Sequence, residues 1–457
     1  MEKKLSIIIS SLNDKQGLLR MFALLKDKVV YTLTPEFIVI DGGSTDGTQD
    51  VLKTAKGILW QSQTEGGLAK AFNTGAQLAS GDYLLFLHSD TILLPGTISL
   101  LLKELEAAPE AVAIGPFTNR SRNRSVQVVQ VLPPPPMDTY EDMCKFEEGW
   151  LTNHHNSASS LWLDNFCLLV RREAFEKVGG FDASFPGHGS EDIDLCLRLR
   201  QAGYRLLASR LAYAHHARTS APLQNAGEDS KEHFRAKWHF DPSYSLNARN
   251  DLIPWLDDLQ GKVSILEIGC ACGPTLLSIK DRLPEAELYG VELDEGPAKV
   301  ASSFAHVEAC DIEALTRPDW RERFDCIICG DVIEHLRRPE VALKNIHHYL
   351  KPGGLLLLSV PNIMHISIFD HLLHGRFPYA DNGLLDRTHT HFFTNREICW
   401  LLQATGFSIE AEDSLDIPLT AREQDLLQKI TPLLAEGVSP EELKIYQIHI
   451  KCKKTKS

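Results

Sequence analysis

A rhythm met twice along the chain constrains its fold more than any other feature. A short apolar run of strand length is followed by a turn rich in glycine and polar residues, and then by a helical segment. The first series has strand-length runs at Leu5–Ser10, Glu36–Asp41, Ile58–Gln61, Tyr83–Leu87 and Ala111–Phe117. The second begins at Val263–Leu266, continues through Leu288–Val291 and Phe324–Gly330, and ends at Tyr446–Cys452 after an extra helical stretch near Ala421–Leu434. Strands alternating with helices argue for a parallel sheet covered on both faces. Two such series in 457 residues, with Asp241–Asn250 reading as a linker, predict two α/β domains at residues 1–245 and 246–457.

Composition removes several alternatives. A net charge of −14, mostly carried by the C-terminal half, offers no basic surface for nucleic acid. Residues 1–6 lead straight into a strand-like run with no apolar leader, and no apolar run approaches bilayer length. The expected location is therefore cytoplasmic, at most peripheral to the inner face of the membrane. Ten cysteines in a chain this long do not form a disulfide scaffold. Cys326 and Cys329 lie three apart in a strand-like run, which points their thiols to opposite faces and argues for structural roles.

In open α/β sheets ligands bind at the carboxyl ends of the strands. In the first series those ends read Ser10-Ser11-Leu12-Asn13, then Asp41-Gly42-Gly43-Ser44, then His88-Ser89-Asp90. Asp41, followed by two glycines, suits a carboxylate that contacts a ribose or base while backbone approaches closely. Asp90 leaves a fully apolar strand with little freedom, as befits a hard oxygen ligand for Mg²⁺ or Mn²⁺. Each of these residues is also compatible with an ordinary strand-end turn.

Further on, Gly187-His-Gly-Ser-Glu-Asp-Ile-Asp194 sets three carboxylates in four positions. Like charges this close raise one another's pKa, which a chain tolerates where a metal or catalysis offsets the penalty. Alternatively Ser190 caps a helix whose first turn takes the acids and whose end is marked by Arg198, Arg200 and Gly203. Between Asn119 and Ser160 periodicity breaks down, and the segment reads as a long loop in which Arg120, Arg122 and Arg124 are candidates for meeting a lipid-linked diphosphate acceptor.

In the second series Glu267-Ile-Gly-Cys-Ala-Cys-Gly273 follows the first strand, and Glu292 ends the next. This is the arrangement of a glycine-rich turn beside a nucleoside cofactor with an acid on its ribose. Later come Ala309-Cys-Asp311, Asp331-Val-Ile-Glu-His335 and Leu350-Lys-Pro-Gly-Gly354. In Asp386-Arg-Thr-His-Thr-His-Phe-Phe-Thr394, two histidines beside two aromatics suit acceptor binding, with His391 assigned as a general base. The competing reading is a loop in which Thr394 caps the next helix.

The motifs at Asp41–Thr48, Glu65–Gly75, Gly81–Asp90, Gly179–Asp182 and Glu191–Arg198 together resemble the family-two glycosyltransferases of GT-A fold over residues 4–240. The resemblance implies a nucleotide-sugar donor held by Asp41, Ser11, Asn13 and Gly67. It also implies a divalent cation on Asp90 with the donor diphosphate, and a catalytic base from Glu191 and Asp192, with Asp192 as the base and Glu191 and Asp194 orienting it. His216, of the pair His215-His216, is the histidine that would complete the metal site. The family's Asp-x-Asp reads His88-Ser89-Asp90 here, so its first acid is replaced by an imidazole.

Residues 245–457 resemble the class I S-adenosylmethionine-dependent methyltransferases. This implies a Rossmann-like fold, with Glu267, Gly269 and Gly273 along the methionine side of S-adenosylmethionine, Glu292 at the ribose, Asp311 at the adenine and Asp331 beside the substrate. Ala271 stands where that family's turn carries its central glycine. The joint expectation is a bifunctional enzyme. It would transfer a sugar, with inversion, to a glycan or lipid-linked saccharide acceptor and O-methylate a sugar hydroxyl, in cell-surface polysaccharide biosynthesis. The alternative is a single activity, with the other domain a binding or scaffolding module. Nothing in the sequence fixes an oligomeric state.

Overall fold

The computed structural model describes residues 3–27, 29–65, 67–119, 137, 139–154, 157–186, 189–217 and 226–455. The chain separates into two compact units, Met1–Leu246 and Asn247–Ser457.

The first unit is built on nine strands: β1 (Leu5–Ser11), β2 (Pro35–Asp41), β3 (Ile58–Ser62), β4 (Tyr83–His88), β5 (Thr91–Leu93), β6 (Ala111–Phe117), β7 (Ala158–Ser159), β8 (Cys167–Arg171) and β9 (Arg205–His216). They lie in the order β3-β2-β1-β4-β8-β6-β9-β5, with β7 against β9. The first four neighbours are parallel, as expected. The sheet as a whole is mixed, because β8 runs antiparallel to both β4 and β6, and β5 antiparallel to β9. Strand direction is set by the end at which a connection re-enters, and the aperiodic stretch before β8 carries no crossover signal that would reveal it.

Alternation sorts the two faces of this sheet. Leu5, Ile7 and Ile9 with Tyr83, Leu85 and Leu87 face one core, shared with the helices Lys15–Asp27 and Thr97–Ala107. On the opposite side the helix Gly67–Leu78 sits so close that a Cβ on Gly75 would meet Ile8 at 2.3 Å. Each fully buried aliphatic chain of this kind contributes about 1.5–3 kcal/mol relative to exposure.

The stretch read as a long loop contains a helix, Tyr140–Asn153. Thr139 caps it by accepting from the Asp142 N–H, and Met143 and Trp150 are its buried residues. Their spacing of seven was the available signal. Arg120, Arg122 and Arg124 lie outside the described residues, as do Gly187 and His188.

The second unit holds β10 (Ser264–Ile268), β11 (Glu287–Glu292), β12 (His306–Ala309), β13 (Phe324–Gly330), β14 (Leu350–Pro361), β15 (Phe407–Asp416) and β16 (Ile445–Lys454). Their order is β12-β11-β10-β13-β14-β16-β15. The first five are mutually parallel, and β16 is inserted antiparallel between β14 and β15. Cys326 and Cys329 are both free and buried, in clusters on opposite faces of β13. Residues read as linker belong partly to secondary structure: Pro242–Ser245 is a helical turn capped by Asp241. Arg249 is a working part of the second unit. No helix among the described residues is long and apolar enough to cross a membrane.

Candidate functional sites

In the first unit the carboxyl ends of β1, β2 and β4 stand side by side, with Ser11 in register with Asp41 and Ser10 in register with His88. Asp41 is fully buried. Its Oδ2 accepts from the N–H groups of Gly43 and Ser44 and from Gln49 Nε2, at 3.1, 3.0 and 2.8 Å. Its Oδ1, and the Ser11 hydroxyl beside it in register, are buried with no hydrogen-bond partner among the described residues. Buried polar atoms left this way mark where a ligand's donors would complete the network.

Asn13 adopts a left-handed backbone, φ 47°, and its Oδ1 accepts from the Thr45 N–H at 2.8 Å. The side chain thus ties the β1 loop to the β2 loop. Gly67 opens the helix Gly67–Leu78 with φ 68°.

β5 pairs Thr91 with His216, which brings the end of β9 against Asp90. His216 Nε2 lies 3.3 Å from Asp90 Oδ1, and the two side chains are only 10% and 13% exposed. Burial alone would raise the Asp90 pKa, but hydrogen bonding to His216 and the charges of His216 and His88 outweigh it, so the carboxylate is held below its usual range. His88, Asp90 and His216 each offer a ligand atom, all within 4.8 Å of one another. His88 thus converges on the same point as Asp90 and His216. Two imidazoles and one carboxylate suit Mn²⁺ or a later first-row ion better than Mg²⁺. These residues fit a divalent cation, which when bound would offset the charge of a leaving diphosphate.

The acidic stretch forms the start of the helix Glu191–Gln201. Ser190 occupies the cap position, but its hydroxyl makes no capping bond. Glu191 instead folds back on the segment before the helix, accepting at Oε2 from the N–H groups of Gly189 and Ser190 at 2.7 and 3.0 Å. Its Oε1 accepts from Asn165 Nδ2 at 3.1 Å.

Asp192 is 6% exposed, and burial, then the charges of Glu191 and Asp164, push its carboxyl well above the usual range. Asp194 does not orient it. The Asp194 carboxylate faces the other way, paired with Arg198 and Lys237 and accepting from Trp238 Nε1 at 2.9 Å. A position two residues on in a helix faces away, and so locks down the helix Ala226–Trp238 instead.

Two neighbouring residues absent from the sequence reading join the acidic and cation-binding groups. Asn165 holds Glu191, and the ring of Phe166 stacks on His216 with centroids 5.2 Å apart. The antiparallel entry of β8 brings both to the rim, a placement its local sequence did not announce.

In the second unit the turn after β10 carries positive φ at Gly269 (70°), Ala271 (47°) and Gly273 (76°). A Cβ on Gly269 would meet Val332 Cγ2 at 2.6 Å, so the turn packs directly on the segment after β13. Glu267 is 4% exposed, its Oε2 has no partner among the described residues, and burial raises its pKa to about 8. The Glu292 carboxylate accepts from the Ala271 N–H at 2.7 Å and the Asp294 N–H at 3.0 Å, which fixes its direction and leaves lone pairs for a ligand's hydroxyls. Asp311 is exposed after β12 and accepts from the Glu313 N–H. An orphaned buried carboxylate beside a tight positive-φ turn fits S-adenosylmethionine, a cation that supplies an activated methyl group when bound.

Asp331 has φ 55° and is held on three sides. Arg249 Nη1 pairs with it at 2.8 Å, Gln447 Nε2 donates at 2.6 Å and the Ser359 hydroxyl at 2.8 Å. Arg249 and Gln447 were missed because each is a lone polar residue far along the chain from Asp331. The His391 N–H and the Thr390 N–H both donate to the Glu334 carbonyl. The His391 ring stacks on Phe393 and its Nδ1 meets the Thr390 hydroxyl at 3.1 Å. Thr394 does cap the next helix, accepting from the Glu397 N–H.

Comparison with known proteins places both units. Residues 6–179 match the model described as glycosyl transferase family 2, and 166–219 the model described as N-terminal domain of galactosyltransferase. Residues 238–412 match the model described as methyltransferase domain. Validoxylamine A glucosyltransferase of Streptomyces hygroscopicus subsp. jinggangensis is 28% identical over 257 residues, 50% of this chain and 61% of the relative. Ubiquinone biosynthesis O-methyltransferase of Pseudomonas syringae pv. tomato is 29% identical over 132 residues, 27% of this chain and 55% of the relative. Among solved structures, a mannosyltransferase from Pyrobaculum calidifontis in complex with GDP-Man and Mn²⁺ aligns with TM-score 0.39 and 17% identity, covering 52% of this chain and 64% of that one.

Proposed function

We propose, for a chain that joins a glycosyl transferase family 2 domain to a methyltransferase domain, that it is a bifunctional enzyme of polysaccharide assembly. The first unit transfers a sugar from a nucleotide-sugar donor to a glycan or lipid-linked saccharide, with inversion and with a divalent cation. The second transfers a methyl group from S-adenosylmethionine to a sugar hydroxyl. The observation that carries the reading is the Asn165–Phe166 link, which sets a buried acid pair beside a His-Asp-His cluster at one sheet rim.

In the first unit Asp41, Ser11, Asn13 and Gly67 hold the nucleotide, and His88, Asp90 and His216 hold the cation. Asp192, ionised, takes the proton of the acceptor hydroxyl while its oxygen displaces the nucleotide from the opposite face of the sugar. Glu191, fixed by Asn165 and two backbone N–H groups, orients the start of that helix.

In the second unit Glu267, Gly269, Gly273, Glu292 and Asp311 line the cofactor, and Asp331 with Arg249 shapes the acceptor side. The acceptor oxygen bonds to the methyl carbon as the carbon–sulfur bond breaks. The electron pair stays on sulfur and the hydroxyl proton passes to His391. Positioning supplies most of the rate, since the methyl group is already activated.

The test is a melting-temperature screen of the full chain against nucleoside diphosphates with and without Mn²⁺, and in parallel against S-adenosylhomocysteine, because a ligand bound to the native state raises the transition. A Mn²⁺-dependent rise with one nucleoside diphosphate and a separate rise with S-adenosylhomocysteine are expected. No rise with any nucleotide overturns the donor site, and none with S-adenosylhomocysteine overturns the cofactor site.

A further inference from the structure

A second cluster of metal-ligating side chains lies in the methyltransferase unit. Glu334 and His335, in the turn after β13, and His389, from the loop before the helix Asn395–Ala404, each offer a ligand atom within 4.8 Å of the others. Glu334 is 2% exposed, and its Oε2 has no hydrogen-bond partner among the described residues.

The His335 imidazole is oriented from behind. His335 Nδ1 is 3.3 Å from the Thr388 carbonyl and 3.1 Å from the Thr388 hydroxyl, which leaves Nε2 free to point inward. The rings of His335 and His389 meet edge to face with centroids 4.8 Å apart. A histidine that spends one ring nitrogen on a backbone carbonyl presents the other as a ligand of fixed tautomer and direction. The loop is pinned to the same turn, since the Thr390 and His391 N–H groups both donate to the Glu334 carbonyl.

We infer that Glu334, His335 and His389 form a divalent-cation site in the methyltransferase unit, separate from His88, Asp90 and His216, and that this site binds the methyl acceptor through two adjacent oxygens. One carboxylate and two imidazoles leave positions open on the ion, as substrate-binding rather than purely structural sites do. Its position follows from contacts already described: the turn bearing Glu334 begins at Asp331 and packs through Val332 on Gly269 of the cofactor turn. An acceptor held there by a vicinal diol, or by a hydroxyl beside a carboxylate, has the hydroxyl acidified before its oxygen takes the methyl carbon. The acceptor part rests on the methyl-transfer reading above; the cation site does not.

The experiment is a Mn²⁺ titration of the full chain without nucleotide, read by the loss of the free-ion resonance in electron paramagnetic resonance. It is run on wild type, Asp90→Asn, Glu334→Gln and His389→Ala. A binding component that persists in Asp90→Asn and vanishes in both Glu334→Gln and His389→Ala is expected. Because Glu334 is buried, each variant is also melted with S-adenosylhomocysteine, and a retained shift shows that the unit is folded. Wild-type crystals soaked in Mn²⁺ supply a readout that needs no variant: an anomalous-scattering peak between the three side chains supports the site.

Titrations of folded variants that superimpose on wild type, or soaked crystals with no such peak, overturn it. If the cation binds and S-adenosylhomocysteine does not, the methyl-transfer reading fails and the site stands. If the cofactor and cation both bind but vicinal-diol acceptors are methylated equally with and without Mn²⁺, the acceptor assignment is overturned.

Discussion

At the scale of single residues, two buried carboxyls make opposite demands on stability and function. Asp192 has a folded-state pKa well above its ordinary value because burial, Glu191 and Asp164 all disfavour its charge. Protonated Asp192 costs little, so its contribution to stability is intact below the unfolded pKa and is lost as pH rises through the raised folded value. Asp192→Asn is thus expected to melt higher than wild type at pH 7, with the difference closing toward pH 4. The same change should lower sugar transfer by about 10²–10⁴-fold, the usual worth of a general base. Melting curves across pH with one transfer assay check both, and a variant that retains transfer removes Asp192 as the base. Glu267, raised to about 8 by burial, is mostly protonated at neutral pH. A cationic cofactor beside it favours the ionised form, so binding S-adenosylmethionine at pH 7 is expected to release a proton. Calorimetry in buffers of differing ionisation enthalpy detects the release, which should be absent in Glu267→Gln.

At the scale of elements, the glycine-rich turn shows how sequence and backbone disagree locally. Ala271 sits at φ 47°, in the left-handed region where a Cβ costs about 1–2 kcal/mol. Glycine there removes the strain but frees the unfolded chain, which gives back about 0.4–1 kcal/mol. Ala271→Gly is therefore expected to stabilise the second unit by a few tenths to about 1 kcal/mol. Denaturant titration is the check, and a destabilised variant would show that the alanine methyl makes packing contacts that outweigh the strain. The turn was legible from its glycines together with the apolar strand before it and the acid that ends the next. The helix Tyr140–Asn153 was not, because prolines and alternating arginines upstream masked a cap at Thr139 and an apolar pair, Met143 and Trp150, at helical spacing.

At the scale of the whole molecule, two compact units carry two sets of groups. Asp331→Ala breaks the contacts with Arg249, Gln447 and Ser359, and is expected to abolish methyl transfer while leaving sugar transfer unchanged. Paired assays on one preparation check this, and loss of both activities would count against separate sites. The sequence by itself determined the two strand–turn–helix series, the carboxylates that end their strands and the glycine turns between, because backbone conformation at a strand end is dictated by the few residues in it. It could not show that Asn165 holds Glu191, that Arg249 pairs with Asp331, or that His389 rather than His391 faces Glu334. Those contacts join residues 26, 82 and 55 positions apart along the chain. Strand order and direction, settled only when the apolar faces are buried together, bring each set together within its own unit.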